Sequence, residues 1–282
     1  MVVDKKRQLA IWIIWLIVFP TGLWLAYKIS PPTFHLTNVG YLFTLGIACI
    51  VSLIPIVVGN IPFTVTQWIS LFVFLQYGLF AEMILSQVIM FVALLRVGRS
   101  KEELFAFPLN SFMFIFVSLL SGLAYYFAGG VHFETKLLSS ELFLLATLYI
   151  FTYFIVNQFF YYIAGPIFYK VRDSFISPAF LWEGFIHIIV LPVGMTLYFL
   201  YNVIWISSFI LVSVPIISTQ LILIMYNTTQ EINHNLQKAV EIGHRLTERL
   251  KAEEVLDVFV ENLVAMFPVD YVFVFTIKIM NG

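Results

Sequence analysis

Long apolar blocks, separated by short polar or Pro/Gly-rich breaks, fill the chain as far as Tyr226. A helix needs about 20 apolar residues to cross a ~30 Å hydrocarbon core, so each block is measured against that length. Eight spans are expected. The first runs from about Gln8 to Tyr27 behind Lys5-Lys6-Arg7; it is too long for a cleaved signal peptide and no small-x-small site follows it. Ser30-Pro31-Pro32 breaks the chain, and a second span covers about Val39 to Val58, ended by the turn signal Gly59-Asn60-Ile61-Pro62. The block from Phe63 to Leu95 is too long for one crossing, and Gln76-Tyr77-Gly78 near its middle divides it into two short helices, the third and fourth spans. The fifth is about Phe107 to Phe127, stopped by Gly129-Gly130, and the sixth about Leu137 to Ile163, stopped by Gly165-Pro166. The seventh is about Gly184 to Leu200, and Tyr201-Asn202 turns into the eighth, about Val203 to Tyr226.

Charge tests this count. With a cytoplasmic N-terminus, eight crossings place Lys5, Lys6, Arg7, Arg96, Arg99, Lys101, Lys170 and Arg172 inside and only Lys28 and Lys136 outside. That is the asymmetry of the positive-inside rule, and merging the third and fourth spans destroys it. The same count puts the end of the eighth span in the cytoplasm.

Composition narrows the class. Of the 282 residues 61% are hydrophobic and 11% charged, whereas soluble domains carry about 25% charge. A net charge of −1 offers no global basic field for nucleic acid. The single cysteine, Cys49, excludes an internal disulfide framework and a multi-cysteine metal site. No phosphate-binding glycine motif is present, and no cytoplasmic segment is large enough for a catalytic pocket, so no catalytic residue, metal or cofactor is expected.

After Tyr226 the character changes. From Gln230 to Glu261 the chain is charged, Pro-free and rich in helix formers. Ile232, Leu236, Ala239, Gly243, Leu246 and Leu250 follow alternating four- and three-residue steps, the spacing of a coiled-coil seam through which two copies would pair. Val255, Leu256, Phe259, Val260, Leu263, Val264 and Phe267 predict a second amphipathic helix, ended by Pro268, and Asp270 to Ile279 reads as a β-strand. One strand makes no sheet, so the tail is expected to open a domain whose remainder lies elsewhere. The expected division is a membrane domain over 1–227, a signalling helix over 228–251 and an incomplete domain over 252–282.

These residues carry a resemblance. The run Leu246-Thr-Glu-Arg-Leu-Lys-Ala-Glu-Glu-Val-Leu-Asp-Val-Phe-Val-Glu-Asn-Leu263, then Pro268-Val-Asp-Tyr-Val-Phe-Val-Phe275, is similar to the opening of a GAF domain. In the membrane part, Leu53-Ile-Pro-Ile-Val-Val58, Gly78-Leu-Phe-Ala-Glu82 and Phe107-Pro-Leu-Asn-Ser-Phe-Met113 resemble the N-terminal membrane region of bacterial GAF–GGDEF diguanylate cyclases. The resemblance implies an all-α polytopic sensor bundle, a signalling helix, the first helix and strand of an α/β GAF-like fold, and a distal output making cyclic di-GMP. The chain holds no Gly-Gly-Asp-Glu-Phe, so no active-site residue of that family transfers to it.

Ionisable residues within spans are functional candidates by default. Glu82 leads them, as a ligand- or ion-sensing group with Gln67, Gln76 or Gln87 as hydrogen-bond donors, against the plainer reading of an interfacial carboxylate. Glu183 and His187 share a helix face four residues apart. A pH-sensing pair is conceivable there, two ligands are too few for zinc, and an interfacial Glu beside a buried His is simpler. Asn157-Gln158, Gln220 and Asn202 suit interhelical hydrogen bonds; Pro55, Pro192 and Pro215 are expected to kink their spans; Tyr161-Tyr162 and Trp182 suit interface anchors. His234 and His244 read as solvated helix positions, since the sequence after His244 lacks the acidic residue and Pro of a phosphoacceptor box.

The function expected is thus a multi-pass sensory input module of the bacterial cytoplasmic membrane, both termini cytoplasmic. Its partners are the bilayer, a second copy and an unidentified small-molecule or membrane stimulus. A transporter or permease is the alternative and predicts internal repeats and discontinuous helices. An intramembrane lipid enzyme would need a polar cluster for which Glu82, Glu183 and His187 are too scattered.

Overall fold

A computed structural model describes residues 5–32, 38–58, 61–97, 104–132, 139–169 and 176–247. The chain divides into two compact units, residues 1–221 and 222–282. The first holds helices α1 (Lys5–Ile29), α2 (Val39–Ser52), α3 (Gln67–Tyr77), α4 (Leu79–Val97), α5 (Ala106–Phe127), α6 (Ser140–Ala164) and α7 (Pro178–Ile204), with a hairpin of β1 (Ile56–Val58) and β2 (Ile61–Phe63). Helix α8 runs unbroken from Ser207 to Thr247. Among the described residues of the second unit, those from Met225 to Glu241 are exposed helix, Ile232 by 54%, Leu236 by 58% and Val240 by 70%.

Six of these helices, α1 and α4 to α8, are long and apolar enough to cross a membrane. The chain is an α-helical, multi-pass bundle. Eight helices lie where eight spans were expected, but at 1.5 Å per residue the 14 residues of α2 and 11 of α3 cover only about 21 and about 16 Å. Neither crosses as a helix. The expected second span ends early because Leu53 closes α2, Pro55 has no backbone N–H to give, and Ile56-Val-Val58 pairs with Ile61-Pro-Phe63, Val57 opposite Pro62. Pro55 therefore stops a helix instead of kinking one, while Pro192 and Pro215 do lie inside α7 and α8. Gly165-Pro166 does not halt α6 either; it continues as a five-residue π-helical turn, Gly165–Tyr169. The turn into α8 falls at Trp205, not Tyr201. Leu250 and the whole GAF-like opening, 252–282, lie outside the described residues, as do Arg99, Lys101, Lys136, Lys170 and Arg172.

Helix α3 is apolar all round, and every residue from Trp68 to Tyr77 is buried. A helix of that kind belongs in the middle of a bundle rather than against lipid. It packs on α7, α4 and α2, while Leu9, Ile13, Leu16 and Ile17 of α1 and Ile188 of α7 stay exposed on the outside. Small residues allow the close crossings. A Cβ on Gly22 would meet Ile115 Cγ2 at 2.5 Å, one on Gly122 would meet Leu79 Cδ1 at 2.8 Å, and one on Gly194 would meet Leu71 Cδ2 at 2.8 Å.

The break expected at Gln76-Tyr77-Gly78 is present. Gly78 has φ +84° and ψ 178°, a conformation essentially restricted to glycine. Ser30, just beyond α1, caps the new helix by accepting the Leu79 N–H at 3.3 Å. The starts of α2 and α4 thus gather at one end of the bundle with the ends of α1, α3, α5 and α7: Gly40 lies against Tyr77 and Tyr201, and Gly78 against Ser30 and His132. At the opposite end Arg7 Nη1 donates to Ile167 O, joining the start of α1 to the π-helical turn after α6.

Candidate functional site

Glu82 sits one turn into α4 with none of its surface exposed. Its partners are serines, not the glutamines expected. Ser70 of α3 and Ser86 of α4 both donate to Oε1, the latter at 2.6 Å, and Ser86 Oγ also reaches Glu82 O at 2.9 Å and Ser118 Oγ of α5 at 3.4 Å. Oε2 is buried with no hydrogen bond among the described residues. Ser86 was within reach of sequence reasoning, since four residues on lies the same helix face. Gln87, five on, turns away and exchanges hydrogen bonds with Ser111, to which Trp15 also donates. Gln76 instead accepts from Asn202 Nδ2 at 3.0 Å, tying α3 to α7, and the side-chain oxygen of Gln67 is buried with no hydrogen bond among the described residues. Gln67 and Gln76 are therefore not part of the Glu82 site.

A second polar cluster forms around Glu183, five residues into α7 and about 27 Å along that helix from Tyr201, toward the opposite end of the bundle. Asn157 donates to Oε1 and Gln158 Nε2 donates to Oε2 at 2.5 Å, so both carboxylate oxygens are satisfied from α6. His187 Nδ1 pairs with Glu183 O at 2.8 Å, and its Nε2 is buried with no hydrogen bond among the described residues. Glu183 is thus buried, with both carboxylate oxygens hydrogen-bonded. Asn157 and Gln158 hold α6 to α7 through it.

Two tyrosines stand between the clusters. Tyr149 and Tyr153 lie one turn apart on α6, ring centroids 6.3 Å from each other, both fully or almost fully buried. The Tyr153 ring lies 5.9 Å from the His187 ring. Asn157 lies one turn further along the same face of α6, and Tyr149 Oη is buried with no hydrogen bond among the described residues. Nothing in the sequence flagged these tyrosines, because an i, i+4 aromatic pair on an apolar helix reads as core.

A third feature is a line of hydrogen bonds at the Gly78 end. Trp205 Nε1 donates to Tyr201 Oη at 3.0 Å, which lies 2.9 Å from Tyr77 Oη. Trp205 closes α7 at φ +52°, ψ −133°, a strained backbone for a residue with a side chain. Tyr41 Oη of α2 donates to Ala81 O at 2.8 Å beside it. Gln220 of α8 is buried with neither side-chain atom bonded among the described residues. Tyr161, Tyr162 and Trp182 are partly or mostly exposed near the opposite end. On α8, Ile232, Leu236 and Ala239 are exposed, and Gly243 and Leu246 fall within the helix.

Among the described residues no group of three or more His, Cys, Asp or Glu side chains gathers as a metal centre. Comparison with known families, characterised proteins and solved structures finds no match to the chain.

Proposed function

We propose that the chain is the membrane-embedded input module of a bacterial signalling protein, relaying a stimulus through α8 to a GAF-type domain that opens near residue 252 and to an output making cyclic di-GMP. On this reading it crosses the cytoplasmic membrane eight times. Helix α2 continued by β1, and β2 continued by α3, supply the second and third crossings, and N-terminus and α8 end are cytoplasmic. Two copies pair through Ile232, Leu236, Ala239, Gly243, Leu246 and Leu250, and the chain itself carries no catalysis.

The observation that supports this most is the 41 unbroken residues of α8, apolar at the start and exposed polar helix after Met225. A transporter has little use for such an extension. The stimulus must contact the two states of the bundle differently, or no equilibrium moves. The strained Trp205, tied through Tyr201 to Tyr77 beside the α3–α4 break, is where a change at the bundle's buried end would bias the start of α8. The transporter reading draws on the two buried carboxyls and the interrupted α3–α4 pair.

Oxidative cross-linking in membranes separates the two. In a Cys49→Ser background, Leu236→Cys is expected to cross-link to its copy several times better than His234→Cys, and Tyr201→Phe to change that yield. Equal yields at 236 and 234, or a yield indifferent to Tyr201→Phe together with solute flux in liposomes, would overturn the sensor reading.

A further inference from the structure

We infer that Glu82 is a proton-binding site, its carboxyl taking up and releasing one proton at the buried α3–α4–α5 contact. The inference gives the proposed input module a ligand, and it rests on that reading only for its purpose; the chemistry belongs to the site alone.

An unpaired carboxylate buried in an apolar bundle is costly, so a cation or a proton must offset it. Among the described residues, the hydrogen-bond partners of Glu82 include no cation. The titratable and polar groups around it are Tyr41 of α2, Ser70 of α3, Ser86 of α4, Ser118 and Tyr126 of α5, and Tyr149 and Tyr153 of α6. His132 beyond α5 is set against Gly78, at the helix break that precedes Glu82. The start of α4 favours a negative charge by about 0.3–1 kcal/mol, short of the burial cost.

The kind of partner matters more than their number. Glu183 has both oxygens taken up by the side-chain amides of Asn157 and Gln158. Glu82 is held by hydroxyls, which donate or accept, and leaves Oε2 unpartnered. A hydroxyl cage accommodates both COO⁻ and COOH by rotating its protons, with no heavy atom moving. The proton comes from water and returns to it, so charge at the site changes by one per cycle.

Two measurements on the full chain in lipid nanodiscs test this. Infrared difference spectra between acid and alkaline pH should contain the carbonyl stretch of a buried COOH that Glu82→Gln lacks. Should that variant fail to fold, Ser70→Ala should shift the same band by removing one of its donors. Dicyclohexylcarbodiimide, which adds to protonated carboxyls in apolar surroundings, should label Glu82. Its rate should fall roughly tenfold per pH unit above the midpoint and be indifferent to exchanging Na⁺ for K⁺. A carbonyl band unchanged by both substitutions overturns the inference, and so does protection by Na⁺, which would make the site one for a metal cation. Neither readout depends on α8, so failure here is distinct from failure of the relay.

Discussion

Gly78→Ala tests the junction on which the buried site depends. At φ +84° and ψ 178° the backbone occupies a region that costs a residue with a Cβ about 1–3 kcal/mol. The added Cβ would also clash with Ser30 Oγ, the atom that accepts the Leu79 N–H at the start of α4. Pushing Ser30 aside leaves that buried donor unpaired, a further loss of about 1–3 kcal/mol. Together the substitution should destabilise the bundle by about 2–5 kcal/mol, with the two contributions not fully additive. Gly46 of α2 is the control: nothing lies within 4 Å of its Cβ position, so Gly46→Ala should be neutral or stabilise by up to about 1 kcal/mol. The assay is reversible unfolding in mixed micelles by dodecyl sulfate, followed by tryptophan fluorescence. Ser30→Ala relieves the clash, so the Ser30→Ala/Gly78→Ala double variant should be more stable than the sum of the two singles predicts. Gly78→Ala within about 0.5 kcal/mol of the parent, or strict additivity in the cycle, would refute the reasoning.

Three further outcomes follow from the same geometry. Ser70→Ala, which removes an interhelical donor to the buried Glu82 carboxyl, should cost about 1–3 kcal/mol in the same assay, whereas Ser118→Ala, whose hydroxyl lies 3.4 Å from Ser86, should cost less than about 1 kcal/mol. Asn157→Leu should cost about 1–3 kcal/mol by leaving a Glu183 oxygen unsatisfied, and Asn157→Leu/Glu183→Leu should recover part of it. Half-burial of His132, outside the spans, lowers its imidazole below the ordinary value of 6.5. The unfolded chain then binds the proton more readily, so this contribution to stability is present above pH 6.5 and lost as pH falls through that value toward the folded one. His132→Gln should flatten that part of the stability–pH curve, and an unchanged curve would contradict the assignment.

Much of the architecture was legible before any coordinates. Length and hydropathy place α1 and α4 to α8, because crossing a bilayer demands about 20 apolar residues in a row and little else. The α3–α4 break was readable from Gln76-Tyr77-Gly78, since a glycine after two polar-capable residues inside an apolar block has few other uses. Glu82 stood out for a similar reason: a carboxyl within an apolar run is expensive and must be held by something. What holds it was not legible. Ser70 precedes it by twelve positions across a chain reversal, and Ser118 lies on another helix, so only the packing of α3, α4 and α5 turns three unremarkable serines into a cage. The same holds for Asn157 and Gln158, whose polarity suggested interhelical bonding but not the carboxylate on α7 that receives it. The lengths of α2 and α3 were misjudged because hydropathy measures apolarity without telling helix from strand, and Ile56-Val-Val58 is as apolar as the helix before it. Local chemistry therefore set where the chain is apolar, where it must turn and which ionisable groups need explaining. Three-dimensional packing alone decided which side chains meet, because contacts across helices depend on crossing points that small residues such as Gly22, Gly122 and Gly194 permit and no single helix encodes.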